Sequence, residues 1–116
     1  MTQARPRIVV AEDEAVIRMD LVETLREEGY DVVAQAADGQ TAVERIESLV
    51  PDVALVDIAM PGLDGLETLA RIGKLAPKAR AALMTGNADD TRLAKEKRVP
   101  IIRKPLNVES LAKVFG

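Results

Sequence analysis

The sequence predicts an α/β fold in which a doubly wound, five-stranded parallel sheet carries helices on both faces. Three observations support this prediction: short aliphatic runs recur along the chain, amphipathic segments separate them, and the two kinds alternate strictly. Strict alternation of strand and helix favours a parallel sheet, because each helix returns the chain to the edge where the next strand begins. Right-handed crossovers then place helices on both faces of the sheet.

The five predicted strands are rich in aliphatic and β-branched residues, and each is too short to be a buried helix. The strands are Ile8–Ala11, Val32–Ala34, Val53–Val56, Ala81–Met84 and Ile101–Ile102.

The predicted helices carry apolar stripes at helical spacing. Asp38, Asp64 and Asn107 precede three stripes as N-cap candidates, and Gly29 and Pro51 follow two of them as stop signals. The stretch 89–97 is poor in apolar residues, so we expect a fourth helix there to be short or mobile. The stripes are Val16, Ile17, Leu21 and Leu25; Ala42, Val43, Ile46 and Leu49; Leu66, Leu69 and Ile72; and Val108, Leu111, Ala112 and Phe115.

Composition limits the functions that are possible. The 116 residues fit one domain, 1–116. With one Tyr, one Phe and no Trp, the chain lacks an aromatic platform for single-stranded nucleic acid, and a net charge of −3 gives no reason to expect nucleic-acid binding. The absence of Cys and His excludes thiol chemistry and histidine catalysis. Any metal must be held by oxygen atoms, which indicates Mg²⁺ or a similar hard ion.

The beginning of the chain does not look like a targeting segment. Residues 1–7 are polar and basic, and the apolar run that follows is too short for a signal peptide or a membrane span. We therefore expect a cytoplasmic protein without a membrane partner.

Polar residues follow four of the predicted strands. Glu12 and Asp13 follow the first, Asp57 the third, Thr85 the fourth and Lys104 the fifth. Because the carboxyl ends of parallel strands meet at one edge, folding should bring three carboxylates, a hydroxyl and an ammonium into one crevice.

Such a cluster favours phosphoryl chemistry. Neighbouring carboxylates repel unless they share a cation or a proton, and Mg²⁺ suits them because it needs few protein ligands. The same ion would neutralise an incoming phosphoryl group, and an aspartate carboxylate can act as the nucleophile. Asp57, at the end of the third strand, is the natural acceptor, with Lys104 as a second positive charge and Thr85 as a hydrogen-bond donor.

Each residue also has a structural interpretation. Glu12 and Asp13 could start the first helix, where carboxylates favour the positive end of its dipole. Taken alone, Thr85 and Lys104 are more simply a strand-end hydroxyl and a surface lysine. Asp57 could form a turn, but a carboxylate that ends an aliphatic strand is costly to bury without partners.

Four sequence runs carry a family resemblance. VVAEDE, LVDIAMPGLDG, LMTG and IIRKP are similar to the four signature segments of bacterial response-regulator receivers, which resemble chemotaxis regulators and act in two-component phosphorelays. The resemblance covers essentially the whole chain and implies a flavodoxin-like sheet of strand order 2-1-3-4-5. It also implies a phosphoprotein that takes its phosphoryl group from a histidine kinase or a histidine phosphotransfer protein and acts on a downstream protein target or an output domain.

The resemblance assigns a role to each residue of the crevice. Asp57 would be the phosphoacceptor, and the domain would catalyse its own Mg²⁺-dependent phosphorylation at this residue and its slow dephosphorylation. Asp13 and Asp57 would bind Mg²⁺ directly, Ala59 through its carbonyl oxygen and Glu12 through a water. Thr85 would be the switch hydroxyl, and Lys104, aimed by a cis peptide before Pro105, would contact the phosphate.

The chain departs from the receiver pattern in two places. Ile101 stands where receivers usually carry an aromatic residue, and the segment between Thr85 and Lys104 is shorter than typical. We therefore expect phosphorylation to order or remodel residues 86–99 rather than to rotate an aromatic side chain. The side chain of Ala59 cannot hold an attacking water, so we expect hydrolysis of the aspartyl phosphate to receive little help from side chains.

Other function classes fit less well. A dehalogenase-type phosphatase needs a second Asp where Ala59 stands, a P-loop needs a glycine-rich Gly-Lys-Ser/Thr segment, and a dinucleotide fold needs closely spaced glycines after the first strand. The acidic crevice would repel a flavin phosphate. The alternative that remains is a receiver-like interaction module that is not phosphorylated.

Overall fold

The computed structural model describes residues 5–60, 62–63, 65–86, 100–104 and 109. The predicted helix over 89–97, the last apolar stripe and the caps Asp64 and Asn107 lie outside these residues. All five predicted strands are present, slightly longer than their aliphatic runs. The described elements are β1 (Arg7–Ala11), α1 (Ala15–Glu27), β2 (Asp31–Ala36), α2 (Gly39–Leu49), β3 (Val53–Asp57), α3 (Gly65–Leu75), β4 (Arg80–Thr85) and β5 (Ile101–Arg103).

The five strands form one parallel sheet in the order β2-β1-β3-β4-β5. This is the predicted doubly wound sheet with the 2-1-3-4-5 order that the resemblance implies. β3 is central and buried at all five positions. Its register pairs Asp57 with Met84, and β4 in turn pairs Thr85 with Arg103. The carboxyl ends of these strands therefore reach the same edge of the sheet.

Successive strand residues pack on opposite faces, as the two-residue period of a strand requires. On one face, Ala54 and Val56 of β3 join a buried cluster with residues of α2 and α3, such as Ile46 and Ile72. On the other face, Leu55 joins a second cluster that includes residues of α1. The sheet thus has a hydrophobic core on each side, with α1 on one face and α2 and α3 on the other.

The ends of α1 and α2 follow the predicted signals. Gly29 has a φ of 94°, and the following amide of Tyr30 donates to the Leu25 carbonyl oxygen at 3.0 Å, which closes the C-terminus of α1. At the start of α2, the Asp38 carboxylate accepts a hydrogen bond of 2.7 Å from the Thr41 amide. The sequence predicted Gly29 as the stop signal of α1 and Asp38 as the N-cap of α2, and both predictions are confirmed.

One member of the predicted stripe on α1 does not face the core. Val16 is 79% exposed, whereas Leu21, Val22 and Leu25 are buried. Val16 precedes Leu21 by five residues, which at about 100° per residue places it about 140° away around the helix. It therefore points away from the face that α1 packs on the sheet.

Among the described residues, no helix is long and apolar enough to cross a membrane.

Candidate functional site

The carboxyl edge of the sheet gathers the polar residues that the sequence singles out. Glu12 follows β1, Asp57 ends β3, Thr85 ends β4 and Lys104 follows β5. The side chains of Glu12, Asp57 and Thr85 are buried, with relative exposures of 1%, 5% and 1%. Asp13, next to Glu12, is exposed. These positions follow from the parallel sheet, because the carboxyl ends of all its strands lie at the same edge.

Lys104 joins two buried carboxylates. Its Nζ donates to Glu12 Oε1 and, at 2.7 Å, to Asp57 Oδ2. Burial opposes its charge, but the hydrogen bonds to Asp57 and Glu12 outweigh burial and raise the pKa of Lys104 above its usual value. The Lys104 amide also donates to the Thr85 carbonyl oxygen at 2.8 Å. The ammonium is therefore held in place by both its main chain and its acceptors.

Asp57 is held at both carboxylate oxygens. Oδ1 accepts a hydrogen bond of 3.0 Å from the Ala59 amide, and Oδ2 accepts the bond from Lys104. The next amide, of Ile58, continues the β3–β4 ladder by donating to the Met84 carbonyl oxygen at 3.0 Å. The orientation of the Asp57 carboxylate is thus fixed by neighbours in sequence and across the sheet.

Glu12 is anchored through its main chain and its side chain. Its amide donates to the Ala36 carbonyl oxygen at 2.9 Å, and its Oε2 accepts from the Glu14 amide at 3.3 Å. The pKa of Glu12 is raised from 4.5 to about 7, mainly by burial and next by the hydrogen bond with the Asp57 carboxyl. The positive charge of Lys104 therefore does not fully offset the effects of burial and of the neighbouring carboxyl groups on the pKa of Glu12.

The acidic cluster fits a hard divalent cation. Glu12, Asp13 and Asp57 each offer a carboxylate oxygen, and these three atoms lie within 4.8 Å of one another. Oxygen atoms are the ligands that Mg²⁺ prefers, and Mg²⁺ keeps several waters, so a partly open site suits it. Asp13, which is exposed, keeps the cluster accessible from solvent. The donor set therefore agrees with the predicted ion.

A cavity of about 320 Å³ opens beside the cluster. Asp57, Thr85 and Lys104 all border it, together with Asp13 and Ala59, so the predicted site residues apart from buried Glu12 share one opening. A larger groove of about 660 Å³ beside α1 also borders Lys104, but its other lining residues do not belong to the acidic cluster. The remaining lining residues of the smaller cavity are Glu14, Ile58 and Gly86.

Two polar residues at the site were missed by sequence reasoning. Glu14 borders the cavity, and Arg18 donates from Nη1 to the Glu12 carbonyl oxygen at 2.7 Å. Glu14 could have been found from its place directly after Glu12 and Asp13. For Arg18 the only signal is its spacing, one helical turn after Glu14. Pro105 and the expected remodelling of residues 87–99 lie outside the described residues.

This fold and site define a doubly wound α/β domain with an acidic cluster and a lysine at the carboxyl edge of its sheet. Residues 8–115 match the family described as the response regulator receiver domain. The chain belongs to the response regulator receiver family, as the four sequence runs indicated.

Individual relatives agree with this membership. Transcriptional regulatory protein PdtaR of Mycobacterium tuberculosis is 51% identical over 73 residues, which cover 61% of this chain and 36% of PdtaR. Chemotaxis protein CheY of Thermotoga maritima is 35% identical over 74 residues, which cover 64% of this chain and 62% of CheY. The matched region thus spans less than two thirds of either relative.

Solved structures show the same fold over nearly the whole chain. The signal receiver domain of the response regulator NarL from Mycobacterium tuberculosis superposes with a TM-score of 0.83 at 27% sequence identity. That match covers 97% of this chain and 94% of the NarL domain. A DNA-binding response regulator of the LuxR family from Staphylococcus aureus also gives a TM-score of 0.83, at 28% identity, covering 96% of this chain and 99% of that one.

Proposed function

We propose that this domain accepts a phosphoryl group on Asp57 from a phosphohistidine of a histidine kinase or a histidine phosphotransfer protein, in a Mg²⁺-dependent reaction. The observation that carries the proposal is the placement of the Asp57 carboxylate. It ends the central strand, is held by the Ala59 amide and Lys104, and lies beside two further carboxylates. Membership of the receiver family supports the same function.

The transfer balances as a single displacement at phosphorus. An oxygen of the Asp57 carboxylate forms a bond to phosphorus, and the bond between phosphorus and the donor imidazole nitrogen breaks. The electron pair of that bond stays on the imidazole, which takes up a proton. The product at Asp57 is an acyl phosphate.

The chain's own residues supply position and charge. Lys104, next to Asp57 Oδ2, would offset negative charge on the phosphoryl oxygens, and the Thr85 hydroxyl would donate to one of them. Glu12, Asp13, Asp57 and the Ala59 carbonyl would hold Mg²⁺. When bound, Mg²⁺ neutralises charge that develops as the phosphoryl group moves.

Phosphorylation would act by switching protein contacts. The charge of the chain, −3, does not favour direct contact with nucleic acid, so the output is best assigned to a protein target or to an output domain elsewhere. The relative PdtaR is named a transcriptional regulatory protein, and we extend a role in transcriptional control to this domain on that similarity.

A small phosphodonor tests the proposal without the cognate kinase. The domain is incubated with acetyl phosphate and either Mg²⁺ or EDTA, and its intact mass is measured beside that of Asp57→Asn. We expect one added phosphoryl group in Mg²⁺ only, and none in the variant. No addition under any condition would favour the non-phosphorylated interaction module, and equal addition to the variant would place the acceptor elsewhere.

A further inference from the structure

A charged side chain of α1 binds the main chain at the end of β1. Arg18 lies in the first turn of α1, where its amide donates to the Glu14 carbonyl oxygen at 2.9 Å. Its half-buried guanidinium donates from Nη1 to the Glu12 carbonyl oxygen at 2.7 Å. A hydrogen bond from a cation to a carbonyl is stronger than one between neutral groups.

The carbonyl that Arg18 binds belongs to the peptide group joining Glu12 to Asp13. The amide of Glu12 is already held by the Ala36 carbonyl oxygen of β2. With Arg18 on the other side, the Glu12 main chain has a partner on its amide and on its carbonyl. These two bonds restrain the plane of the next peptide, which carries the amide and the Cα of Asp13, and so limit the positions that the Asp13 side chain can take.

The ion pairs of the described residues show that this contact is not a salt bridge. They join Arg71 to Glu67, and Lys104 to Glu12 and Asp57. The guanidinium of Arg18 instead donates to a main-chain oxygen, the carbonyl of Glu12. The Arg18 guanidinium therefore does not take up the carboxylate oxygens that would bind a metal, whose recorded partners are Lys104 and the amides of Glu14 and Ala59.

We infer that Arg18 is a positioning residue for the magnesium site. It acts through the Glu12–Asp13 peptide, which it fixes so that the Asp13 carboxylate stays near those of Glu12 and Asp57. This inference rests on the proposed function, because Mg²⁺ is the ion that this function requires.

The sign of the effect separates positioning from simple electrostatics. Removing a positive charge that contacts the main chain of Glu12, one of the three acidic residues, should strengthen Mg²⁺ binding if charge alone matters. Removing the hydrogen bond should weaken binding, because Asp13 then samples directions that do not serve the ion. A weaker site after loss of a cation is therefore a signature of positioning.

The test compares Arg18→Met, Arg18→Lys and the wild type by calorimetric titration with MgCl₂ at constant ionic strength. We expect the Mg²⁺ Kd of Arg18→Met to rise about tenfold, which is the lower end of the range for residues that orient metal ligands. Arg18→Lys keeps a cationic donor and should recover most of the affinity. Arg26→Met, at an exposed position near the end of the same helix, makes the same charge change and should leave Kd nearly unchanged.

The outcomes distinguish this inference from the proposed function. An unchanged or lower Kd for Arg18→Met would overturn the positioning role, as would an equal rise for Arg26→Met. Should Arg18→Met also lower Tm, Arg18→Lys decides: a Kd as high as that of Arg18→Met in a stably folded variant would overturn the role. A wild-type domain that does not bind Mg²⁺ would contradict the proposed function itself. Equally tight binding by the wild type and Arg18→Met would reject the role of Arg18 and leave the proposed function standing.

Discussion

The ammonium group of Lys104 donates hydrogen bonds to two buried carboxylates, and this arrangement determines the charge of the site. Its bonds to Glu12 and Asp57 raise its pKa, so the group stays protonated through the neutral range. The same two carboxylates belong to the set that would bind Mg²⁺. Lys104 and Mg²⁺ therefore compete for the carboxylate oxygens of Glu12 and Asp57, although the positive charge of each would attract an incoming phosphoryl group.

This competition predicts opposite effects on binding and on transfer. In Lys104→Met, Mg²⁺ should bind about tenfold more tightly, because a positive charge in direct contact with the ligands is lost. Phosphorylation by acetyl phosphate should become slower, because Lys104 no longer offsets charge on the phosphoryl group. Titration calorimetry and the rate of mass increase measure the two effects.

Lys74→Met provides the control for this variant, because Lys74 is an exposed residue in the last turn of α3. It should change neither quantity. An unchanged Mg²⁺ affinity in Lys104→Met would show that the lysine does not compete with the ion.

The residues of the site were largely predictable, because each follows an aliphatic strand. The order of the strands then brings Glu12, Asp57, Thr85 and Lys104 together without further information. Arg18 was not predictable in the same way. Its contact depends on the rotamer of a long side chain and on the turn between β1 and α1, which residue types alone do not specify.

At the scale of elements, a close approach of α2 to α3 supports the segment after Asp57. A Cβ built on Gly39, the first residue of α2, would lie 2.6 Å from the Leu63 carbonyl oxygen and would also collide with the Thr68 hydroxyl of α3. Leu63 lies between β3 and α3, in the connection that includes Ala59. Gly39 therefore lets α2 approach the connection that carries one side of the site.

Gly39→Ala should lower the free energy of unfolding by about 1–3 kcal/mol, the usual cost of forcing extra atoms into a packed contact. Gly73→Ala is the matched control, since a Cβ at this α3 position meets nothing within 4 Å. Because alanine favours a helix interior over glycine, that variant should gain about 0.5–1 kcal/mol. Urea unfolding followed by circular dichroism measures both, and equal changes would contradict the close approach.

The cap of α2 predicts a pH dependence of stability. Hydrogen bonds from the Thr41 amide and hydroxyl hold the pKa of Asp38 below its ordinary value of 3.8. A depressed folded-state pKa contributes stability above the unfolded-state pKa, and this contribution is lost as the pH falls through the folded-state pKa. The advantage of the wild type over Asp38→Asn should thus be largest above about pH 4 and shrink below it. Urea midpoints between pH 6 and pH 3 measure this difference, and a constant difference would contradict the role of the carboxylate.

At the scale of the whole molecule, the alternation of strands and amphipathic segments was sufficient to predict the sheet. Right-handed crossovers predict helices on both faces of the sheet, and Ala54 and Leu55 of β3 indeed pack in clusters on opposite faces. The exposure of Val16 was not predicted, because apolar character was weighed without its angular position on α1. The register irregularity between Ile8 and Val9 in the β1–β2 pair likewise has no signal in the residue types.

The measurement that tests the central claim most directly is the location of the phosphoryl group. After reaction with acetyl phosphate and Mg²⁺, borohydride reduces the acyl phosphate to an alcohol, and fragment masses of the digested domain identify the residue that carried it. We predict conversion of Asp57 to homoserine, with Glu12 and Asp13 unchanged. Reduction at Glu12 or Asp13, or at no residue in a domain whose mass shows a phosphoryl group, would contradict Asp57 as the acceptor.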